Sequence, residues 1–519
     1  MLCYSMAMDN LYHTYIVNPY VEQNSFRTAS LRNEFIPDYG DFKKLLPQPK
    51  WNGHDTAIDC YWKTWEIAYR NLRLPTQENG FVSPYIDTAF NGNLFMWDSA
   101  FILMFARYGK NAFYFQQTLD NFYAKQHPDG FICREIRETD GTDCFLRFDP
   151  PATGPNVLPW TEWEYYQNFG DLERLAQVFP ALLAYHQWFR RYRTWQDGTY
   201  WACGWACGMD NQPRLDLSEQ KDRGEFLGFY EWWDTNHMIW VDTCFQALFS
   251  AHILIEMAGV LDRRDDIRDL EKEIGHLEKV VNDSLWDEKV GFYFDCRADG
   301  RLSHVKTIGA YWALLSGVVP QDYIDRFISH LKNIDEFNRL HRVPSLSADH
   351  VDYDPKGSYW RGGVWPPTNY MILRGLTTLG YHGLAREIGT NHHANVIKVF
   401  EKTGTLWENY APDSPEPGNI ARSDFVGWSG LPSVAVLFEY VFGLRPEVPK
   451  QVLTWDVSLL EEHSVTQYPF GSLGMLDLQC KERNTGTEKP IIKVQSNVPL
   501  TLLLKWEGGS ETIQIQPVG

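Results

Sequence analysis

The sequence predicts a mainly α-helical fold, an (α/α)6 toroid followed by a small C-terminal β-sandwich-like domain. Three observations carry that expectation. Helical periodicity recurs in about a dozen stretches between residues 55 and 442. The gaps between them are long, yet rich in Pro, Gly, Trp and acids rather than in linker-type Ser or Lys, so they read as ordered loops. From residue 446 onward, short alternating or apolar runs separated by Gly and Asn replace the helical pattern.

In chain order, residues 1–50 read as an irregular segment, punctuated by Asn18-Pro19, Pro37-Asp-Tyr-Gly40 and Leu46-Pro-Gln-Pro49. Residues 51–445 form the expected helical domain. Asp55 is placed to cap a first helix through Ile58, Trp62, Trp65 and Ala68. Further helices are expected near 97–108, 111–126, 171–192, 235–259, 264–285, 306–317, 320–332, 361–379, 383–401 and 424–442. Turn signals such as His127-Pro-Asp-Gly130 and Asp299-Gly300 separate them. Helices in sequential pairs fit six inner and six outer members, with the long loops at one end building a cleft. No repeat signature of about 34 or 40 residues supports an α-solenoid instead. Residues 446–519 hold the strand-like runs Val452-Leu-Thr-Trp-Asp456, Leu500-Thr-Leu-Leu-Leu-Lys505 and Glu511-Thr-Ile-Gln-Ile-Gln516.

The formal net charge of -19 argues against nucleic acid and against an anionic membrane surface, both of which call for Lys and Arg. No run of about 18 apolar residues predicts a membrane span. The stretch Met1 to Asn10 has neither a basic start nor an apolar run, so a cytoplasmic location is expected, or a periplasmic one if a leader was removed. Nine cysteines, scattered and odd in number, read as free thiols. No phosphate loop, nucleotide fingerprint or Ser-His-Asp elbow is visible, and neither a cofactor nor a metal is expected. The half-calcium pattern at Asp352-Tyr-Asp354 reads as a plain turn.

Aromatics are the outlier at 15%, and many sit in polar stretches such as Trp160-Thr-Glu-Trp163 and Glu231-Trp-Trp-Asp234. Rings set among acids and Gly suit an open cleft that stacks on a flat, partly apolar ligand such as a sugar. Five stretches join carboxylates to aromatics and turn residues: Ser83–Asp87 leading to Trp97-Asp98 and Phe101; Asp129 to Arg134-Glu135; Gly208-Met-Asp210-Asn211-Gln-Pro-Arg214; Ser358-Tyr-Trp360-Arg361-Gly-Gly-Val-Trp365-Pro-Pro-Thr-Asn369; and Trp407-Glu408-Asn409-Tyr410, followed by Phe425-Val-Gly-Trp428-Ser429. Glycosidic cleavage needs one protonated carboxyl for the leaving oxygen and a second carboxylate on the other sugar face, roughly 6.5–9.5 Å away when configuration inverts. Apolar neighbours such as Met209 and Pro213 would help keep Asp210 protonated.

These stretches, in this order across residues 80–440, resemble glycoside hydrolase family 63, which includes processing α-glucosidases and mannosylglycerate hydrolases. The resemblance implies the (α/α)6 toroid, an inverting mechanism, Asp210 as general acid and Glu408 as general base. Trp97, Asp98 and Arg361 would hold the nonreducing sugar. Phe101, Arg134, Glu135, Trp160, Trp360, Trp365, Asn369, Trp407, Tyr410 and Trp428 are the further substrate-binding candidates. Several keep a second reading: Asp210 as a turn residue, Glu408 as a solvated loop acid, Asp98 as a helix cap, Arg361 as a loop-holding ion-pair partner, and each Trp as core packing. Glu162 and Asp234 are weaker cleft candidates. Gln212 and Gly363 depart from the family pattern, which has a small residue and often Pro there.

The expected partner is a small oligosaccharide or glycoside, an α-glucoside first, with an α-mannosyl compound or trehalose next. The related family 37 trehalases share the implied fold and acid/base logic. A toroid lyase or epimerase, or a non-catalytic carbohydrate-binding protein, are the other classes. Ultraviolet-absorbing unsaturated or isomerised products would identify the former, and binding without turnover the latter.

Overall fold

The computed structural model describes residues 16–32, 35–88, 91–214, 233–235 and 237–517. Met1 to Asn10, Cys3 and the Glu231-Trp232 part of the aromatic stretch lie outside the described residues. The chain is mainly helical with a C-terminal strand region.

The helix over Asp55–Arg70 shows how the pattern plays out. Asp55 does not cap it; it occupies the first turn, where its charge faces the positive end of the helix dipole. The buried stripe is Ala57, Cys60, Tyr61, Trp65 and Ala68, while Ile58 and Trp62 are only half-buried. Within residues 51–445, one helix was not expected. Trp160-Thr-Glu-Trp163, read as an open aromatic stretch, lies inside the helix Leu158–Phe169. Pro159 at its start is an ordinary helix opener. The amphipathic signal is hidden because its acids Glu162 and Glu164 are themselves buried, in ion pairs with Arg174, Arg107 and Arg374.

Helices adjacent in sequence pack as pairs: Leu158–Phe169 with Leu172–Tyr192, Val241–Val260 with Arg268–Ser284, and Pro366–Thr378 with His382–Thr403. Six segments also touch one another in a closed cycle. They are Met96–Ala106, Leu158–Phe169, Val241–Val260, Ala313–Ser316, Pro366–Thr378 and the π-helical stretch beginning at Leu431, which returns to the first. Val241–Val260 is long and apolar enough to cross a membrane by composition, but it is a member of this cycle and mostly buried by its neighbours. Inside the cycle, apolar side chains on every face replace the one-sided stripe of an outer helix. Met96–Ala106, for example, is buried at every position.

Two four-stranded sheets follow. The first runs in the order β1 (Gln48–Trp51), β6 (His463–Phe470), β7 (Gly474–Cys480), β8 (Ile492–Ser496), all antiparallel. The second runs β10 (Gly509–Ile515), β9 (Leu500–Trp506), β5 (Val452–Asp456), β4 (Leu444–Glu447), with β9 parallel to β5. Alternation is clear in β7, where Leu476, Leu478 and Cys480 are buried and Met475 and Asp477 exposed. The expectation of an irregular first fifty residues needs correction. Asp38 caps a short helix Tyr39–Lys44 by accepting from Asp41 N–H at 3.1 Å, and β1 pairs with a strand more than four hundred residues away. Pro49 is tolerated because β1 is an edge strand.

Candidate active site

Strands β2 (Asn93–Phe95) and β3 (Glu135–Arg137) form an antiparallel pair with Phe95 opposite Glu135. The Met96 N–H donates to Arg134 O at 2.8 Å, so the Arg134-Glu135 pair lies beside the first turn of Met96–Ala106, which carries Trp97 and Asp98. Asn93 Nδ2 donates to Glu135 Oε1 at 2.6 Å, and Arg134 lies 3.8 Å from Glu135. Arg134 also donates to Trp205 O at 3.1 Å and covers the rings of Phe145 and Trp205.

The Asp210 loop is anchored at its far end. Arg214 is buried and makes paired bonds to Asp242 (2.6 and 2.9 Å) and Asp295 (2.5 and 2.9 Å), above the Trp240 ring. Its charge is therefore neutralised there. Gly208 adopts a left-handed φ of 73°, and a Cβ at that position would sit 3.3 Å from the Trp97 indole, so glycine lets the loop lie against that wall. Gln212 donates to Ser345 O at 2.9 Å, a reach that a small side chain there would lack.

Across the site, Trp360 and Trp365 stack face to face at 3.9 Å, and Trp428 meets Trp365 at 5.6 Å. Gly363 is required sterically, since a Cβ would collide with Tyr359 O. Glu408 is buried. Its backbone is fixed by Arg422 O and by the Trp428 indole N–H, which donates to Glu408 O at 2.7 Å. Its carboxylate accepts from Tyr359 OH at 3.3 Å and from the Arg422 N–H at 3.2 Å.

These elements enclose a cavity of about 280 Å³. Its walls include both candidate catalytic carboxyls, Asp210 and Glu408, together with Trp97, Asp98, Arg134, Glu135, Trp360, Trp365 and Trp428. The wall residues sit on connections that precede members of the helical cycle: Trp97 and Asp98 at the start of Met96–Ala106, Gly154 and Pro155 before Leu158–Phe169, Asp210 before Val241–Val260, Tyr359 to Trp365 before Pro366–Thr378, and Trp428 before Leu431.

The remaining candidates are not on the wall. Phe101 and Trp160 lie one layer behind, Phe101 against Trp97 at 4.7 Å and Trp160 against Phe101 at 5.9 Å. Arg361 takes the loop-holding alternative, donating to Asn211 O at 3.1 Å and lying 3.9 Å from Asp352. Asn369 bonds both backbone groups of Val343 (2.6 and 3.0 Å), Tyr410 is buried against His341, and Trp407 donates to Thr403 Oγ1 at 3.1 Å. Glu162 is likewise structural, paired with Arg174. Wall residues that sequence reasoning passed over are Phe95, Phe145, Trp205 and Tyr359. Tyr359 lies inside one of the motifs and Trp205 three residues before another, whereas Phe145 carries no local signal.

The electrostatics are unusual. Burial pushes Asp210 up to about 6, against a downward pull from Arg134. Burial pushes Glu408 up to about 7, offset in part by the bonds from Arg422 N–H and Tyr359. Asp98 is pushed well up by burial and then by the Glu408 charge. Two carboxyls that titrate near neutrality in one small cavity can hold and release protons there. Among the described residues, no group of three or more His, Cys, Asp or Glu is arranged to hold a metal ion.

A family model described as the mannosylglycerate hydrolase MGH1-like glycoside hydrolase domain matches residues 92–429, which bracket every candidate above. A mannosylglycerate hydrolase of Thermus thermophilus is 26% identical over 375 residues, 61% of this chain and 88% of that protein. A probable mannosyl-oligosaccharide glucosidase of Schizosaccharomyces pombe is 28% identical over 294 residues, 50% of this chain but 34% of its own length. A GH63 mannosylglycerate hydrolase from Thermus thermophilus, solved in complex with Tris and D-glycerate, shares the fold. Its TM-score is 0.58 at 21% identity, over 73% of this chain and 99% of that one.

Proposed function

Because the chain belongs to the mannosylglycerate hydrolase MGH1-like glycoside hydrolase family, we propose that it hydrolyses an α-glycosidic bond with inversion, Asp210 serving as general acid and Glu408 as general base. The observation that carries this reading is the pairing of Asp210 and Glu408 in one aromatic-walled cavity, both lifted by burial into the range where a proton is gained or lost near neutral pH. In the productive state, the minor of the pair's two singly protonated forms because Glu408 sits at about 7 and Asp210 at about 6, Asp210 is protonated and gives its proton to the glycosidic oxygen. Glu408 is ionised and takes a proton from the water that attacks the anomeric carbon on the opposite face. One displacement then inverts the configuration. Asp98 accepts from sugar hydroxyls, and Trp97 and Trp360 offer apolar faces to the ring.

In this proposal the helical cycle is the inner layer of an (α/α)6 toroid, and the two terminal sheets are a sandwich packed on it. A cavity of about 280 Å³ falls just below the roughly 300–1,000 Å³ usual for ligand sites and suits a short substrate. An α-glucoside is the favoured class. An α-mannosylated small acid is the second reading, favoured by the similarity that covers 88% of a mannosylglycerate hydrolase. Incubation with α-glucosides, trehalose and α-mannosylglycerate, with reducing sugar measured as product, tests the proposal. Turnover of one of them, lost in Asp210→Asn, supports it. Unsaturated products, or binding without turnover across the panel, would reject it.

A further inference from the structure

Asn211 directly follows the proposed acid, yet it does not line the cavity. Its side chain reaches sideways to the neighbouring loop. Oδ1 accepts from Trp360 N–H at 2.8 Å, and Nδ2 donates to Ser358 O at 3.2 Å. These are the two peptide groups that flank Tyr359. A third bond, from Arg361 Nε to Asn211 O at 3.1 Å, ties the same two loops again.

Tyr359 needs such a clamp. Its φ is 58°, in the left-handed region that a bulky residue enters only at a cost. The surroundings are shaped around it. Trp365 Nε1 donates to Tyr359 O at 3.2 Å, the Trp365 ring meets the tyrosine edge-on at 4.9 Å, and Gly363 leaves the carbonyl room. Held this way, the ring lines the cavity and its hydroxyl donates to Glu408 Oε1, while the other carboxylate oxygen is occupied by the Arg422 N–H. The charged groups that act on this pair are Asp98, Asp210 and Arg422.

We propose that Asn211 and Tyr359 are positioning residues that form one hydrogen-bonded linkage between the two reacting carboxyls. Asn211 fixes the strained Tyr359 backbone from the acid's loop, and the Tyr359 hydroxyl aims the carboxylate of the base and stabilises its ionised form. A change beside Asp210 thus reaches Glu408 without crossing the substrate. The inference rests on the acid and base roles proposed above, and its test has one arm that needs no substrate.

In the first arm, pH-dependent thermal unfolding of wild type, Tyr359→Phe, Glu408→Gln and the double variant forms a double-mutant cycle. The linkage predicts coupling between Tyr359 and Glu408 that is large at pH 8, where Glu408 is ionised, and shrinks towards pH 5. In the second arm, on whichever α-glycoside the protein hydrolyses, Tyr359→Phe should lower kcat about tenfold or more with KM little changed. It should also move the limb of the pH profile near 7 upward by about half a unit or more, because the ionised base loses a donor. Asn211→Ala should reproduce that upward shift, although its side chain touches neither carboxyl, and Asn211→Ser, which restores one polar partner, should shift it less. Absent turnover on every glycoside would fail the acid/base reading and leave the first arm to decide the linkage. Coupling near zero at both pH values, or unmoved limbs in an active enzyme, would overturn the proposal.

Discussion

Glu164 and Glu439 are buried within the helical cycle where arginines reach them: Arg374 bonds Glu164 at 2.6 Å and Arg107 bonds Glu439 at 2.7 Å, with Tyr108 and Tyr370 adding hydroxyl donors to Glu439. Asp98, Asp210 and Glu408 gather around a different cavity from the one that Glu164, Glu439, Arg107 and Arg374 line, and its wall includes one of the molecule's arginines, Arg134, itself beside Glu135. Burial acts on both sets alike and pushes carboxyls up. At Glu164 the Arg374 and Arg107 cations overturn that push and hold the group below its ordinary value. At Asp210 and Glu408 the push prevails. Burial of an acid therefore does not by itself set its protonation in this fold; a dedicated cation beside it decides the direction. The paired set braces the ring, and the unpaired set is held in place by its loops at a cost in stability.

The largest effects should fall on chemistry. Asp210→Asn and Glu408→Gln each lower kcat by about 10²–10⁴-fold, the usual worth of a positioned acid or base, with the melting temperature unchanged or raised. Initial-rate kinetics beside calorimetry would show both. The braced set should behave oppositely. Arg374→Ala leaves Glu164 short of a cation and costs about 3–5 kcal/mol in denaturant unfolding, with little change in turnover per folded molecule at low temperature.

The pH dependence sharpens the contrast further. The folded values of Asp210 and Glu408 lie above those of the unfolded chain, so their contribution to stability is fully present below about pH 4 and is lost as pH rises through about 6 and about 7. Glu164, lowered in the fold, contributes above its unfolded value near pH 4.3 and loses that contribution as pH falls. Unfolding scans should therefore show Glu408→Gln gaining on wild type from pH 4 to pH 8. The rate profile should be a bell with apparent limbs near 6 and 7 that belong to the pair. The smallest effect is expected at Arg361→Ala, below about tenfold in kcat/KM, because its guanidinium holds Asn211 O rather than the cavity.

The same contrast explains what was legible beforehand. Asp210, Glu408, Trp97 and Trp360 lie in short motifs whose neighbours serve the same site, and all four line the cavity. Helices covered on one side, such as Asp55–Arg70, announce themselves by period, whereas Leu158–Phe169 does not, because its buried Glu residues mimic a polar loop and their arginine partners are remote in sequence. Phe145 is held at the wall by the Arg134 cation and by the Trp205 ring, contacts that no local pattern encodes. Conversely, Arg361, Asn369 and Tyr410 share motifs with wall residues yet hold backbone in place, since a loop that aims one side chain inward needs neighbours that aim elsewhere. The link from β1 to the C-terminal sheet was hidden by sequence distance alone.

The central claim is that the two unpaired carboxyls divide the work of a single displacement. Proton NMR of hydrolysis of an α-glycoside, read before mutarotation, tests it most directly. The account predicts the β-anomer as first product from the wild-type enzyme, and its loss in both Asp210→Asn and Glu408→Gln. An α-anomer as first product would contradict it, because retention requires one carboxylate to attack the sugar itself.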